Sequence, residues 1–207
     1  MTKQLDLWRS EFGSEYSKRN NNRITEEDNQ RLMQDWGKIL GHAVTPKPKS
    51  VLEVGCNIGR NLVALRHFAD EIHAVEPNPA ACQAVRENPV LKDVVIKEGD
   101  GFSLPYGDEE IDLVFTSGVL IHVAPDDLGR MVDEIFRVAR HYIVCTEYFS
   151  HEPEEVKYRD MEGYLFKRDF GRFYMERHSG LRVLDYGFLW QPLDSSDDSN
   201  WWLFAKR

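Results

Sequence analysis

The residues best suited to chemistry lie in one short stretch, residues 51–61, with the sequence VLEVGCNIGRN. A short apolar run leads there into a turn with glycines at positions 55 and 59. Glycine tolerates a positive φ and lets a ligand approach the backbone closely. Open α/β sheets bind ligands in the crevice beyond the carboxyl ends of their strands. The stretch therefore predicts a buried strand, a tight ligand-binding turn and the start of a helix.

An acid ends the next apolar run, where Glu76 is followed by Pro77 and Asn78. Glu76 lies about 20 residues beyond the turn, where nucleoside-binding sheets place the acid that receives ribose hydroxyls. One carboxylate can accept hydrogen bonds from both hydroxyls of a vicinal diol. The alternative is an exposed acid ahead of a helix, which the order Glu-Pro-Asn also permits. The glycine turn upstream favours a nucleoside contact at Glu76.

The next two apolar runs are also followed by polar or aromatic side chains. After the third run, Asp100 could accept a hydrogen bond from an adenine amino group, and Phe102 could flank the ring, with Gly101 between them. After the fourth run, Thr116 and Ser117 begin a loop that would emerge beside the reactive group of the ligand. These residues predict a site for a nucleoside-containing cofactor along one edge of a sheet.

A nicotinamide or flavin dinucleotide is the competing cofactor. Its GxGxxG fingerprint would need glycines at positions 57 and 60, where this chain has Asn57 and Arg60. The chain also lacks a Tyr-x-x-x-Lys pair. Arg60 could still pair with a phosphate. A nucleotide-binding oxidoreductase or epimerase, or a catalytically silent binding module, therefore remains an alternative.

Alternating strands and helices must position these residues. Short apolar runs indicate strands, and apolar residues at helical spacing indicate helices. Strands that alternate with helices predict a parallel sheet with helices on both faces, and two late β-like runs predict an antiparallel pair at its edge. The predicted elements are strands at 50–54, 71–75, 94–97, 111–116, 142–146, 181–189 and 200–205, and helices at 60–68, 79–86 and 126–138.

Residues 1–45 are predicted to form a helical lid within a single domain that spans residues 1–207. Trp8, Phe12 and Tyr16 recur at a four-residue spacing, which predicts one short helix packed onto the body. A second helix is expected to follow Thr25, with Asp28 in its first turn, and to run to about residue 40.

Residues 148–180 are polar, aromatic and charged, and we interpret them as a substrate-side insertion. Long connections on α/β scaffolds often carry function.

Taken together, the glycine turn, Glu76, Asp100 and the loop at 116–117 resemble, in order and spacing, the class I S-adenosylmethionine-dependent methyltransferases. The resemblance covers roughly residues 50–147. It implies a Rossmann-like three-layer α/β sandwich with a seven-stranded, mostly parallel sheet in the order 3-2-1-4-5-7-6 and an antiparallel last strand. It also implies S-adenosyl-L-methionine as cofactor and S-adenosyl-L-homocysteine as product.

The resemblance assigns contacts to each part of the cofactor. Glu53 would lie near its amino group, Glu76 on the ribose, Asp100 and Gly101 on the adenine, and Ser117 near the sulfonium. The full set of implied cofactor contacts is Arg19, Asn20, Glu53, Gly55, Asn57, Gly59, Glu76, Pro77, Asp100, Gly101, Phe102, Thr116 and Ser117.

The flanking segments 8–20, 147–149 and 164–171 are similar to methylases associated with pseudaminic acid and other bacterial surface-sugar pathways. This second resemblance implies O-methylation of a sugar-like hydroxyl in polysaccharide biosynthesis. A nitrogen acceptor or a protein side chain is the alternative within the same activity.

Two residues could serve as the base that a hydroxyl acceptor needs. His122 follows the fourth strand, and an ordinary imidazole pKa near 6.5 suits neutral pH. Glu147 ends the fifth strand, and we expect it to face the same crevice as a base or a ligand for substrate hydroxyls. The alternatives are a capping histidine and an exposed acid.

Arg19 and Asn20 could hold the methionine carboxylate, because arginine offers a bidentate fork to such a group. The alternative is a pair of surface residues at a helix end. An anionic acceptor, such as a phosphate or carboxylate, could be bound by the basic and aromatic residues of the insertion. A charged exposed helix face is the alternative there. The predicted substrate contacts are Tyr158, Arg159, Lys167, Arg168 and Asp169.

Composition narrows the classes of partner. The net charge is −9, and scattered basic residues disfavour a nucleic-acid partner. Three cysteines without a CxxC pair argue against disulfides and zinc, and we see no metal-ligand cluster. Cys56 and Cys145 both end apolar runs, so we expect them to be buried. No apolar run approaches the roughly 20 residues of a membrane span, and the N-terminus does not read as a signal peptide. We expect a cytoplasmic monomer or homodimer that acts on a small molecule.

Overall fold

A seven-stranded sheet forms the centre of the computed structural model, which describes residues 2–20, 25–41, 44–194 and 197–207. Its order is β3-β2-β1-β4-β5-β9-β8. The predicted order is thereby confirmed, with β9 and β8 in the places of the predicted last two strands. β9 runs antiparallel to both of its neighbours, β5 and β8, and the remaining pairings of this sheet are parallel. The strands are β1 (Ser50–Val54), β2 (Glu71–Glu76), β3 (Val95–Glu98), β4 (Ile111–Ser117), β5 (Ala139–Glu147), β8 (Leu181–Leu189) and β9 (Ser199–Lys206).

Helices cover both faces of this sheet, as predicted for a three-layer sandwich. Alternate side chains of a strand point to opposite faces. Leu52 and Val114 therefore belong to one apolar core, and Val51 and Leu113 belong to the other. The first core packs against α6 (Pro125–Val138) and α7 (Phe170–Arg177), and the second against α3 (Glu26–Leu40), α4 (Arg60–Leu65) and α5 (Pro79–Glu87).

The central strands are buried on both faces, which explains their nearly continuous apolar sequences. The parallel register aligns their carboxyl ends at one edge of the sheet. Val54 lies beside Val75, Glu76 beside Glu98, and Ser117 beside Thr146. The polar residues that follow these strands therefore meet at that edge.

The N-terminal segment differs from the single short helix predicted around Trp8. It forms two helices, α1 (Lys3–Arg9) and α2 (Glu11–Asn20). The chain turns at Ser10, whose hydroxyl donates to the carbonyl of Leu7 and accepts the amide N–H of Phe12. Residues 1, 21–24 and 42–43 of the predicted lid lie outside the described part of the chain.

The next helix, α3, begins as the sequence predicts. The Thr25 hydroxyl accepts the amide N–H of Asp28 at 3.1 Å, and the Asp28 carboxylate accepts the Thr25 amide N–H. By contrast, α4 ends at Leu65, three residues before the predicted end. There the amide of Phe68 bonds to the carbonyl of Leu65, so the chain tightens into a turn.

Residues 148–180 contain a hairpin that the sequence patterns did not predict. Its strands are β6 (Glu154–Tyr158) and β7 (Met161–Lys167), and they pair antiparallel. The turn places Arg159 and Asp160 at φ 48° and 66°, the positive values that a two-residue hairpin turn requires. Arg-Asp is not a typical sequence for such a turn, and charged residues interrupt the alternation in β6.

Within the described residues, the burial predicted for Cys56 and Cys145 is confirmed. Cys56, Cys82 and Cys145 are buried and free. In the same part of the chain, every helix is too short or too polar to cross a membrane.

Candidate active site

A cavity lies at the carboxyl edge of β1, β2 and β4, beneath α1 and α2. The structure brings many of the predicted site residues to its wall. Trp8 and Tyr16, which the sequence assigned to packing, line it as well. The predicted residues on the wall are Asn20, Glu53, Gly55, Asn57, Glu76, Pro77, Asp100, Gly101, Phe102, Ser117 and His122.

The turn after β1 requires glycine at position 55. Gly55 has φ 80°, and a Cβ built there would lie 2.7 Å from a methyl group of Val119. Asn57 also has a positive φ, 49°, and its side-chain oxygen Oδ1 is buried with no partner in the described chain. The backbone therefore bends sharply around the cavity without a side chain at Gly55.

Gly59 plays a different part from the predicted one. It also has a positive φ, at the N-cap of α4, but a Cβ there would meet the side chains of Leu91, Leu62 and Val85. Gly59 does not line the cavity, since it faces this apolar packing instead. The missing side chain at Gly59 allows this close packing. The expectation that Gly59 contacts the cofactor is therefore corrected.

Glu76 is buried at the end of β2 and is held by two backbone groups. One carboxylate oxygen accepts the amide N–H of Asn57 at 2.8 Å, and the other accepts that of Asn78 at 2.9 Å. Burial raises the pKa of Glu76 to about 7. Each oxygen retains acceptor capacity, so the fixed carboxylate could receive two hydroxyl groups.

Glu53 is 2% exposed and lies on the adjacent strand. Its Oε1 accepts the side-chain N–H of Asn61 at 2.7 Å, and its Oε2 is buried with no hydrogen-bond partner among the described residues. Burial raises the pKa of Glu53 to about 8. Buried polar atoms are normally paired. An unpaired acceptor on a cavity residue therefore fits a ligand that donates hydrogen bonds, such as an ammonium group.

Asp100 connects the sheet edge to the helices above it. Its carboxylate accepts the Phe102 amide N–H at 3.0 Å and lies 3.1 Å from a guanidinium nitrogen of Arg9 in α1. The acid predicted to contact adenine thus also holds α1 over the cavity. Sequence reasoning missed Arg9, because nothing in its local pattern indicates a partner 91 positions away.

His122 lies at the cavity wall in a short 3-10 helix, Leu120–His122. Its Nδ1 is 2.7 Å from the carbonyl oxygen of Tyr164 in β7 and donates to it. Burial lowers the pKa of His122 to about 4, so the ring is neutral at pH 7 and carries its lone pair at Nε2. The ring also makes edge contacts with Trp8 and Tyr158, at centroid distances of 4.8 and 4.9 Å.

Glu147 does not face the cavity, which corrects the prediction. It is fully buried, and its carboxylate accepts the amide N–H groups of Val119, Leu120 and Ile121 at 3.1–3.3 Å. Burial raises the pKa of Glu147 to about 7. Three amide groups at the start of the 3-10 helix draw the acid beneath the loop. Glu147 therefore anchors the loop that carries His122.

Two other predicted cofactor contacts do not reach the cavity wall. Thr116 is fully buried within β4, whereas Ser117 at the next position lines the cavity. Arg19 lies in the last turn of α2 and does not line the cavity, whereas the neighbouring Asn20 does. Strand and helix geometry points adjacent side chains in different directions, so one member of each pair faces away.

The predicted substrate residues separate into two groups. Tyr158 contacts the His122 ring, and the Arg159 guanidinium lies 5.6–6.0 Å from the ring centroids of Phe12, Tyr16 and Tyr158. The tip of the hairpin therefore meets α2 beside the cavity.

The second group does not line the cavity itself. Lys167 and Arg168 line a smaller hollow with Pro125 and Phe166. Asp169 caps α7, because its carboxylate accepts the amide N–H of Arg172 at 2.8 Å. Adjacency in sequence suggested one charged cluster, but the chain leaves β7 here and carries these residues away.

No cluster of three or more histidine, cysteine or acidic ligands suited to a metal occurs in the described residues.

Comparison with known proteins agrees with this geometry. Residues 52–142 match the family described as a methyltransferase domain. An uncharacterized methyltransferase of Mycobacterium leprae is 26% identical over 169 residues, which cover 77% of this chain and 60% of that protein. A probable chloroplastic tocopherol O-methyltransferase of rice (Oryza sativa subsp. japonica) is 30% identical over 140 residues, 62% of this chain and 38% of that protein. The chain thus spans 60% or less of the length of these two relatives.

Two solved structures share the fold at 17% identity. One is a putative methyltransferase of Haloferax volcanii in complex with a methyltransferase activator, with a TM-score of 0.71 and 96% of each chain covered. The other is the 1,6-didemethyltoxoflavin-N1-methyltransferase of Burkholderia thailandensis with its substrate and S-adenosylhomocysteine, with a TM-score of 0.71 and coverage of 97% of this chain and 88% of that one. The family match covers 52–142, less than half of the chain, and it and these relatives show that this part of the chain is similar to methyltransferase domains.

Proposed function

We propose that this chain binds S-adenosyl-L-methionine in the cavity and methylates a hydroxyl group of a small, sugar-like molecule. The observation that carries the proposal is the pair of buried carboxylates, Glu53 and Glu76, on adjacent parallel strands at one cavity. The glycine turn between them leaves room for a ligand against the backbone. Two acids buried side by side at one cavity would be a costly arrangement without a ligand, even with Arg60 on the same wall.

The residues present fit the parts of the cofactor. Glu76 would receive the ribose hydroxyls, and Glu53 would receive the amino group at its unpaired oxygen. Asp100 and Phe102 would hold and flank the adenine. The backbone at Ser117 would lie near the sulfur. When bound, the sulfonium supplies an electrophilic methyl group.

His122 would orient the acceptor. Because its Nδ1 donates to the carbonyl of Tyr164, Nε2 is free to accept a hydrogen bond from an acceptor hydroxyl. Methyl transfer requires the acceptor atom about 3 Å from the methyl carbon and in line with the departing sulfur. A ring whose pKa is about 4 is a weak base. Its contribution is therefore to hold the hydroxyl and to direct its lone pair. As the oxygen–carbon bond forms and the carbon–sulfur bond breaks, the hydroxyl becomes strongly acidic, and its proton would pass to Nε2 of His122.

The acceptor side of the site supports a sugar-like or anionic molecule. Trp8 and Tyr16 present aromatic surface on the cavity wall, against which the apolar face of a sugar ring could pack. Arg159 lies beside them and could pair with a phosphate or carboxylate. A role in surface-polysaccharide biosynthesis and a cytoplasmic location rest on the sequence resemblance and composition alone.

A nitrogen acceptor is the second candidate within the same activity. Neutral Nε2 of His122 can accept from an N–H group as it does from an O–H group. The Burkholderia structure described above is of an N1-methyltransferase.

The flanking segments would then have distinct tasks. We assign α1 and α2 to a lid, since Arg9 pairs with Asp100 and the Gln4 side chain donates to the Gly163 carbonyl at 2.9 Å. The hairpin formed by β6 and β7 would be the substrate-side part of the insertion. Both segments would belong to the same domain as the sheet.

Isothermal titration tests the cofactor assignment. We expect micromolar binding of S-adenosylhomocysteine and none of NAD⁺. Glu76→Ala should weaken binding by about 1–3 kcal/mol, because charged hydrogen bonds to the ribose are lost. Glu98→Ala is the matched control, since Glu98 lies beside Glu76 at the end of β3 but is exposed and off the cavity wall. Equal binding by Glu76→Ala and the parent would remove the ribose assignment.

The acceptor is tested separately. The protein is incubated with methyl-labelled cofactor and a panel of sugar nucleotides, sugar phosphates and amine-bearing analogues. Transfer to a sugar hydroxyl is the expected result, and label found only on nitrogen would favour the second candidate.

A further inference from the structure

A chain of hydrogen bonds runs from α3 through α4 to the end of β1. The indole Nε1 of Trp36 donates to Oδ1 of Asn61 at 3.3 Å, and Nδ2 of Asn61 donates to Oε1 of Glu53 at 2.7 Å. Trp36 is 3% exposed and does not line the cavity, whereas Asn61 and Glu53 do. These hydrogen bonds therefore connect the interior behind the sheet to the wall of the site.

The direction of these hydrogen bonds is fixed by chemistry. An indole N–H can only donate, so Asn61 must present its oxygen to Trp36 and its amide nitrogen to Glu53. That nitrogen satisfies Oε1 and restricts rotation of the carboxylate. The other oxygen, Oε2, is left buried without a partner among the described residues.

A neutral partner suits an acid that must bind a cation. Burial opposes the charged form of Glu53 most strongly, the bond from Asn61 favours it, Glu76 nearby opposes it, and Arg60 adds a weaker attraction. A lysine in place of Asn61 would pair with the carboxylate and compete with a cationic ligand. An amide supports the charged form of Glu53 without adding a positive charge of its own.

Trp36 is itself held rigidly. Its ring packs edge-on against Phe115 of β4, with centroids 4.6 Å apart, inside the core formed with α3 and α4. The indole N–H of Trp36 therefore has a fixed position. Partners that are already fixed lower the entropy cost of ordering side chains when a ligand binds.

We propose that Trp36 and Asn61 are positioning residues that orient Glu53 so that Oε2 receives the ammonium group of the cofactor. This inference rests on the proposed function and extends it to two side chains that act through Glu53.

The test compares two ligands that differ by one group. S-adenosylhomocysteine carries the amino group, and its desamino analogue lacks only that group. We expect Asn61→Ala to weaken binding of S-adenosylhomocysteine about tenfold and Trp36→Phe about threefold, since hydrogen bonds to a charged group support that affinity. Binding of the desamino analogue should change less than about twofold, because its affinity does not depend on Glu53. Titration calorimetry measures both.

Trp201→Phe is the matched control. Trp201 is a buried tryptophan of the same apolar core but lies on β9, away from the cavity wall. This variant should leave both affinities unchanged, and thermal unfolding verifies that each variant is folded. If Asn61→Ala does not fold, Trp36→Phe alone makes the comparison, because it removes one N–H from outside the cavity.

Coupling to Glu53 completes the test. In a Glu53→Gln background, Asn61→Ala should cause little further loss, because its effect passes through the carboxylate. Equal losses for both ligands, or full additivity with Glu53→Gln, would overturn the inference while leaving the cofactor assignment intact. If the parent binds neither ligand, the proposed function itself fails.

Discussion

Glu147 lies directly beneath the loop that carries His122, and the two residues are linked through consecutive backbone amides. Glu147 accepts the N–H groups of residues 119–121, and His122 follows immediately and bonds to the carbonyl of Tyr164 on the other side. The imidazole is thus held between β5 and the hairpin strand β7.

This arrangement predicts that Glu147 supports the fold of the loop. Glu147→Gln places an amide N–H₂ among three backbone donors, and such a mismatch costs about 1–3 kcal/mol. We expect the melting temperature to fall by about 2–4 °C for each kcal/mol lost, with little change in affinity for S-adenosylhomocysteine. Differential scanning calorimetry measures the melting temperature, and titration calorimetry measures the affinity. An unchanged melting temperature together with abolished turnover would instead favour a catalytic acid or base at Glu147.

The state of His122 can be measured directly. Burial lowers its pKa to about 4, and the bond to Tyr164 places the proton on Nδ1. Nitrogen-detected NMR should therefore show a neutral Nδ1–H tautomer at every pH between 5.5 and 8. His122→Ala should lower kcat for the acceptor without changing the KM for the cofactor. A ring that titrates near its ordinary value of 6.5 would contradict this account.

Stability should fall as the pH rises above neutral. Burial raises the pKa of Glu53 to about 8 and the pKa values of Glu76 and Glu147 to about 7, from an ordinary 4.5. At a pH between 4.5 and these raised pKa values, the native chain binds more protons than the unfolded chain, so its free energy of unfolding decreases as the pH rises. The lowered pKa of His122 makes the free energy of unfolding increase with pH instead, but only below its ordinary pKa of 6.5.

Melting temperatures of the ligand-free protein from pH 6.5 to 9 check this prediction. We expect a continuous decrease, and Glu53→Gln should reduce its slope because a neutral amide does not titrate. A melting temperature that is constant or rises over that range would mean that these acids titrate normally.

The ion pair between Arg9 and Asp100 predicts how the lid behaves. Arg9→Ala removes a contact between α1 and the sheet edge, so S-adenosylhomocysteine should dissociate several-fold faster. The pair is partly exposed and contributes only about 0–1 kcal/mol to stability. Arg31→Ala removes a comparable pair with Glu27 on α3 and is the control. Identical dissociation rates in stopped-flow measurements for the parent and Arg9→Ala would show that this contact does not retain the ligand.

The sheet could be predicted because its signals are local. Runs such as 50–54 and 111–116 are apolar throughout, and their ends carry the glycine turn and Glu76, so strand order and cavity edge follow from the resemblance and the pattern. The hairpin could not be predicted, because Arg159 and Asp160 take positive φ values without the usual Asn-Gly sequence.

The sequence does not indicate which side chains at the strand ends face the cavity. Glu147 and Ser117 both end strands at the same edge, yet one turns beneath a loop and the other lines the cavity. That difference depends on amides of residues 119–121, whose conformation no local pattern indicates. Asn61 lies within the glycine motif, but its donor Trp36 lies 25 positions earlier, so only the folded chain reveals the pair.

A crystal structure of the complex with S-adenosylhomocysteine tests the central claim most directly. The account predicts ribose hydroxyls on the Glu76 carboxylate and the amino group on Oε2 of Glu53, beneath α1 and α2. A nucleoside bound at another surface, or a cavity in which neither acid contacts the ligand, would contradict it.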